Sequence, residues 1–162
     1  MPYATLEALR AAVPASGSTD HEDHTRGIVD ALIDGIRKAT VTLTSADILA
    51  LYDTPVEVVA APGAGRFFVP HLIVARTSGG TTPYTVPDAV YIQVGDSPWV
   101  EVSSLFSVVT GEQVATFIPA AVNYATTDVE NGAITIYSSD DNPTDGDGTL
   151  TITVWYSIED VP

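Results

Sequence analysis

Residues 133–158 read AITIYSSDDNPTDGDGTLTITVWYSI and contain the clearest structural signal in the chain. Apolar and polar residues alternate in the runs on both sides of the central loop, as expected for strands with one buried face. In the second run the side chains fall into two sets, Leu150, Ile152, Val154 and Tyr156 on one face and Thr151, Thr153, Trp155 and Ser157 on the other. The Asp- and Gly-rich segment between the runs predicts a hairpin with a long loop.

The β character extends over residues 40–162. TVTLT, VEVVAA, RFFVPHLIVAR, AVYIQV, WVEVSSLFSVV and VATFIP are strand-like, and PGAG, SGGTTP, GDSP and TGEQ between them are typical of turns. SADILALY predicts one short helical turn capped by Ser45, with Asp47 in its first turn. Since no long helix separates the strands, a parallel βαβ fold is excluded. The sequence predicts a mainly β protein, an antiparallel β-sandwich or jelly roll of seven or eight strands with a short helical N-terminal segment.

Residues 1–39 have helical character. A polar linker, ASGSTDHEDH, precedes a predicted helix over residues 25–38, on which Ile28, Leu32 and Ile36 form an apolar stripe. Short helices of this kind are marginally stable alone, so the stripe is predicted to contact the rest of the protein, a sister subunit or a larger assembly. The sequence therefore divides into a helical attachment arm, residues 1–39, and a β domain, residues 40–162.

The charge of the chain is strongly acidic. Six Lys and Arg residues stand against 21 Asp and Glu residues, a formal net charge of −15. An acidic surface repels nucleic acid and anionic membranes, so neither is a predicted partner. The chain has no cysteine, which excludes disulfides and cysteine-ligated zinc. We see neither a signal peptide nor a run of the roughly 20 apolar residues that a membrane span needs.

The segment PGAG, residues 62–65, has two interpretations. A G-x-G between apolar runs is found in loops that bind phosphate, but a dinucleotide loop needs a third glycine, where this chain has Phe68, and a helix after it. Here a β-type run interrupted by Pro70 follows, and no P-loop lysine is present. Pro62 and Gly63 suit the central positions of a type II turn, so we interpret the segment as a reversal between two strands.

The histidines and the acidic loop contain the candidate metal ligands of the chain. HEDH places His21 and His24 three residues apart, but in a polar linker without zinc-protease spacing, so a solvated helix start is the preferred interpretation. In the loop, the candidate calcium ligands are Asp141, Asp145 and Asp147, with Asp140 beside them. The EF-hand pattern fails, because Pro143 takes a ligand position and Ile152 stands where the bidentate Glu belongs. The sequence predicts no metal or cofactor. The alternative is a calcium ion bound by the aspartates of this loop.

No catalytic constellation is recognisable. There is no G-x-S-x-G, no cysteine nucleophile, and no way to select a carboxylate pair from 21 acids. His71 follows Pro70 and is expected to have a structural or interface role. Trp155 faces the threonine side of its strand, so we expect it to be partly exposed and to belong to a recognition surface. The sequence predicts a protein that is not an enzyme.

Residues 43–158 resemble small tailed-bacteriophage proteins. The resemblance lies in ILAL, in TPVEVVAAPGAGR, and in Asn142-Pro143 followed by GDGTL with Val154 and Tyr156. Arg66 replaces the lysine that usually ends the first motif. The resemblance implies a virion structural protein, such as a capsid decoration (cement) protein, a head fibre or a tail component. Residues 1–39 are not part of it.

The sequence and the resemblance together give two hypotheses. The first is a non-enzymatic virion protein, made in the host cytoplasm. In this hypothesis it is a homotrimeric capsid decoration protein whose partners are its own copies and the major capsid protein or another virion protein. The predicted interface residues are Ile28, Leu32, Ile36 and Trp155. The alternative is a carbohydrate- or receptor-binding module of a phage tail or head fibre, which requires a pair of exposed aromatic rings on one face.

Overall fold

The computed structural model describes residues 35–106, 112–118 and 125–161. The chain divides into two compact units, Met1–Arg37 and Lys38–Pro162. Most of the predicted helical arm, including Ile28 and Leu32, lies outside the described residues and stays a prediction. Its predicted end is wrong, because residues 37–39 belong to the strand Arg37–Leu43 and not to a helix. The second unit contains the β domain.

The described elements follow each other in the order β1 (Arg37–Leu43), α1 (Ser45–Ile48), β2 (Val56–Val59), β3 (Arg66–Ser78), β4 (Tyr84–Thr85), β5 (Val90–Val94), β6 (Ser97–Glu101), a 3-10 turn (Ser103–Leu105), β7 (Gln113–Phe117), α2 (Thr126–Val129), β8 (Ile134–Ser138), β9 (Thr144–Asp145) and β10 (Thr149–Asp160). The described strands number ten rather than seven or eight, because β4 and β9 have only two residues each and leave no alternation in the sequence.

Eight of these strands form two four-stranded sheets. Sheet A has the order β1-β10-β3-β7, sheet B has the order β2-β8-β5-β6, and β4 pairs with β9. The paired strands are antiparallel. β1 and β10 are antiparallel too, because Thr40 lies opposite Thr153 and Thr42 lies opposite Thr151. The predicted mainly β class is confirmed, and the arrangement is that of a β-sandwich. The jelly-roll topology stays a prediction.

One hydrophobic core joins the two sheets. Leu150, Ile152, Val154 and Tyr156 of β10 are buried, as their alternation predicts, and they belong to one cluster with Ile92 and Ile136 of sheet B. Burying a side chain of this size contributes about 1.5–3 kcal/mol relative to leaving it exposed. The apolar faces of the two sheets therefore hold the sandwich together.

A β-bulge explains why a proline is tolerated in the long strand β3. Trp155 pairs with Leu72 and Tyr156 pairs with Pro70, so His71 is the extra residue on β3. The buried positions change phase there, from Phe68 before the bulge to Ile73 after it. Proline lacks the N–H of a regular ladder, and a bulge is where a sheet accepts it.

The predicted hairpin between the last two long strands is wrong. β8 belongs to sheet B and β10 to sheet A, so residues 139–148 cross from one sheet to the other, with β9 on the way. PGAG likewise connects β2 of sheet B to β3 of sheet A. Alternation reports only that a strand has a buried face, and in a sandwich both sheets bury one. The pattern therefore cannot distinguish a hairpin from a crossover.

The short helix α1 begins one residue earlier than predicted. Its N-cap is Thr44, not Ser45: the Thr44 hydroxyl accepts from the Asp47 N–H, and the Asp47 carboxylate accepts from the Thr44 N–H at 2.8 Å. This reciprocal pair is a capping box, in which the bond from the cap N–H needs an acid three residues after the cap. The bonds from Thr44 lower the pKa of Asp47.

Among the described residues, no helix is long and apolar enough to cross a membrane.

Candidate functional site

Asp147, a candidate calcium ligand, binds backbone and side-chain donors of the chain itself. Its carboxylate accepts from the N–H groups of Thr81 at 2.7 Å and Thr82 at 2.8 Å, and from the Thr81 hydroxyl at 2.7 Å. These bonds lower the pKa of Asp147. Tyr84 lies beside it and donates to the Gly148 carbonyl at 2.6 Å, while burial, with Asp147 adding to it, raises the pKa of Tyr84 to about 12. Asp147 therefore fastens the crossover segment to residues 81–84.

The other candidate ligands bind different groups. The Asp145 carboxylate accepts from the hydroxyls of Thr85 and Thr144, and the Asp141 carboxylate accepts from the Asn142 N–H at 2.7 Å. Within the part of the chain that the structure describes, no group of three or more His, Asp or Glu side chains is placed to hold a metal ion. The structure does not bring Asp141, Asp145 and Asp147 together as one ligand set.

Asn142 is a structural residue that sequence reasoning missed. Its side-chain oxygen accepts from the N–H groups of Tyr52 at 2.9 Å and Asp53 at 3.3 Å, and its amide donates to the Asp53 carboxylate at 2.6 Å. The partners are about 90 residues away in sequence, so no local pattern shows them. The Asn-Pro dipeptide of the resemblance was the available signal. Asn142 fixes the start of the crossover segment to the loop after α1.

The amides of PGAG bind side chains of the same protein. The Gly63 N–H donates to the Asn131 side-chain oxygen at 3.0 Å, and the Gly65 N–H donates to the Glu130 carboxylate at 2.9 Å. Both glycines have positive φ, 103° and 75°, a conformation that side-chain-bearing residues rarely adopt. A phosphate would need these N–H groups free, whereas a carboxylate of the chain already takes one of them. The geometry is that of a turn.

His71 belongs to a short polar chain on the surface. Its Nε2 lies 3.2 Å from the Ser157 hydroxyl, which donates to the Glu159 carboxylate at 3.2 Å. In a hydrolase triad the histidine lies between serine and acid and takes the serine proton. Here the serine lies in the middle and donates its hydrogen bond to the glutamate, so the order of the three groups is not that of a triad. His21 and His24 lie outside the described residues.

A small cavity lies beside the crossover segment. Its volume is about 30 Å³, and Ile48, Tyr84, Phe106 and Leu150 are among its lining residues. A buried water needs a space of roughly 10–15 Å³ on this measure, so the cavity is of the size of two or three waters. It does not suit a nucleotide or a sugar.

The outer face of sheet A contains Trp155. By this face we mean eleven side chains that point away from the core, in two rows across all four strands and a third row across β1, β10 and β3. They are Lys38, Thr40 and Thr42 of β1, Thr151, Thr153 and Trp155 of β10, Leu72, Val74 and Arg76 of β3, and Val114 and Thr116 of β7. Trp155 is half-buried, and the Lys38 ammonium lies 5.4 Å from its ring centroid, within cation–π range. Ile36, the other described residue among the predicted interface residues, is 44% exposed.

A pair of tyrosines lies on the opposite surface of the sandwich, on sheet B. Tyr91 and Tyr137 are cross-strand partners on β5 and β8, with ring centroids 5.8 Å apart and planes inclined by 30°. Both rings are half-buried, and the exposed Glu101 is the partner of Tyr91 on the next strand. Burial and the neighbouring Tyr91 raise the pKa of Tyr137. Both tyrosines are candidates from the sequence, but their contact depends on the pairing of β5 with β8, which the sequence does not show.

Comparison with known proteins does not assign this chain to a family. No protein-family model matches the chain, and no curated protein matches it. The chain is similar to a solved structure described as "Cyanophage Pam1 capsid asymmetric unit", with 16% sequence identity, a TM-score of 0.44 and coverage of 100% of both chains. A phage capsid component is therefore among the structures that this chain is similar to. At this identity and TM-score we transfer no role from it.

Asp147 gives a prediction for the pH dependence of stability. Its pKa in the folded protein lies below the ordinary value of 3.8, so the ionised form stabilises the fold. We expect wild type to be more stable than Asp147→Asn at pH 7, and the difference to shrink as the pH falls below about 4 and through the lowered pKa. Urea unfolding of both proteins between pH 7 and pH 2.5 measures this. A difference that grows towards low pH would contradict the assignment.

Proposed function

We propose that this chain is a non-enzymatic structural protein of a tailed-bacteriophage virion, a capsid decoration protein attached to the head as a homotrimer. The observation that carries the proposal is that the residues of the phage-like motifs lie in a turn and in the crossover segment, where they make hydrogen bonds within the chain. Gly63 and Gly65 form the turn between the sheets, and Asn142 and Asp147 fasten the crossover segment. These motif residues make hydrogen bonds that hold loops together, so the role that supports the proposal is a structural one.

The polar groups nearest to a catalytic arrangement also support this proposal. In the His71–Ser157–Glu159 chain the serine proton points to an exposed glutamate. The acids of the crossover loop are hydrogen-bonded to threonines and backbone N–H groups. Each arrangement stabilises a strand or loop, and in the first the acid contacts the serine, whereas in a hydrolase triad the acid orients the histidine. The proposal places the protein in the virion, after synthesis in the host cytoplasm.

Mass in solution and binding to heads test the proposal separately. The chain has a mass of 17.0 kDa, so light scattering after size exclusion should give about 51 kDa for the trimer, three times the chain mass. Heads assembled from the major capsid protein encoded in the same genome should carry the chain into the pellet on sedimentation, and a same-sized unrelated β-sandwich protein should stay in the supernatant. A 17 kDa species contradicts the trimer, and absence from the pelleted heads contradicts the decoration role.

The tyrosine pair on sheet B, whose rings are half-buried and leave part of their surface to solvent, favours a second candidate function, carbohydrate or receptor binding. Aromatic rings present apolar faces to the C–H groups of a sugar, and a carboxylate such as Glu101 accepts from its hydroxyls. In this case Tyr137→Ala should lose binding on a glycan array, whereas Tyr52→Ala, a change of an exposed tyrosine elsewhere, should retain it. An array on which the wild-type protein binds no glycan would rule this candidate out.

A further inference from the structure

The outer face of sheet A differs in charge from the rest of the described protein. The described residues include fifteen Asp and Glu but only four Lys and Arg, and all four bases lie on β1 and β3 of sheet A. Arg66 pairs with Asp160 at 3.3 Å at the far end of β3. Lys38 and Arg76 lie among the eleven residues of the outer face named above, none of which is acidic, whereas Glu159 lies on the same side of β10 two residues beyond Ser157. This face is therefore a basic patch on an acidic molecule.

The side chains of this face are suited to a protein contact. Thr40 bonds to Thr153 at 3.1 Å and Thr42 to Thr151 at 3.0 Å, so these hydroxyls have partners before any second molecule arrives. Paired hydroxyls lose less free energy when water is removed than unpaired ones do. Val114 is 56% exposed, and the β-branched residues of the face lose little rotamer freedom on binding. A tryptophan and an arginine complete the patch, and both residue types are enriched at protein interfaces.

We propose that the outer face of sheet A is the surface through which one copy of this chain contacts the acidic surface of the next copy. This inference rests on the proposed homotrimer. If two copies met through the same face, Lys38 and Arg76 of each would approach the same cations of the other. A contact between the basic face and an acidic region of the neighbour joins opposite charges. Such a head-to-tail contact forms a ring when the rotation between successive copies closes, and the proposed trimer is the ring with a rotation of a third of a turn.

Two charge reversals on the same strand test this interface. Arg76→Glu changes a cation on the outer face, and Arg66→Glu makes the same change in net charge ten residues away, outside the face. Both are measured by light scattering over a dilution series, with circular dichroism to show that each variant is folded. We expect Arg76→Glu to raise the dissociation constant of the trimer about tenfold or more, and Arg66→Glu to change it little. Lys38→Glu should act like Arg76→Glu and serves as the second variant if Arg76→Glu does not fold.

The outcomes separate this inference from the proposed function. A wild-type trimer that persists in Arg76→Glu and Lys38→Glu overturns the interface and leaves the trimer standing. Trimeric variants that no longer bind heads overturn it too, because the face would then contact the shell. Equal weakening by Arg66→Glu also overturns it, since net charge rather than position would be responsible. A monomeric wild type overturns both the homotrimer and this interface.

Discussion

Gly132→Ala should lower the free energy of unfolding by about 3 kcal/mol or more, a loss of the size that severe overpacking causes. A Cβ at this position would lie 2.5 Å from both the Cα and the N of Gly95, and 3.2 Å from the Val129 carbonyl oxygen. Gly95 itself has a φ of 55° in the turn between β5 and β6. The atoms in the way belong to the backbone, so no side-chain rotation relieves the clash.

The close approach of the two glycines is held from both sides. The Gly95 N–H donates to the Ala133 carbonyl at 3.0 Å, and the Asp96 N–H donates to the Asp128 carbonyl at 3.3 Å. Moving the chains apart to admit a methyl group would break these bonds, and each contributes about 1 kcal/mol. The turn after α2 and the turn between β5 and β6 therefore form one unit that fixes the entry of β8 into sheet B.

Gly148→Ala is the matched control. Its Cβ would lie 3.3–3.4 Å from atoms of Gly80 and 3.4 Å from the Ser78 carbonyl oxygen, distances at which neighbours shift by a few tenths of an ångström. We expect this variant to lose less than about 1 kcal/mol. Urea unfolding followed by tryptophan fluorescence compares the two variants with wild type. A loss in Gly132→Ala as small as that in Gly148→Ala would show that the backbones at Gly132 and Gly95 separate easily.

Local patterns predicted the strands but not their partners. The alternation in β10 identifies its buried face, because a strand with one face in the core must bury every second residue. The same alternation in β8 does not reveal that β8 pairs with β2 and β5, since pairing depends on residues distant in sequence. The predicted hairpin is wrong for this reason. The cap of α1 also shows the limit, because Thr44 and Ser45 are both good caps and only Thr44 lies three residues before Asp47.

The candidate surfaces depend even more on long-range pairing. Thr40 and Thr153 are 113 residues apart in sequence, and only the register of β1 against β10 makes them neighbours. The basic character of the outer face requires the same register, because Lys38 and Arg76 come from strands on either side of β10. Trp155 was predicted on the threonine side from its own strand alone. The sequence shows that the acids of the crossover loop are close together along the chain. It does not show their hydrogen-bond donors Thr81, Thr82 and Thr85, which lie in another segment.

Asn142→Ala should lower the free energy of unfolding by about 2 kcal/mol, because two backbone N–H groups lose their acceptor. The Tyr52 and Asp53 N–H groups donate to the Asn142 side-chain oxygen, and the Asp53 carboxylate also loses the amide that donates to it at 2.6 Å. The position is half-buried, so water replaces only part of these bonds. Asp140→Ala changes an exposed residue in the same loop, and we expect a change within about 0.5 kcal/mol.

The comparison of these two variants tests whether the phage-like Asn-Pro motif is structural. If Asn142 fastens the crossover segment, its loss should also increase hydrogen exchange of the amides of residues 52 and 53, while Asp140→Ala should leave them unchanged. These two amides report on the contact itself, since the Asn142 oxygen is their acceptor. Equal stability and equal exchange in both variants would mean that Asn142 does not hold the loop, and the main support for a structural role of the motif would be lost.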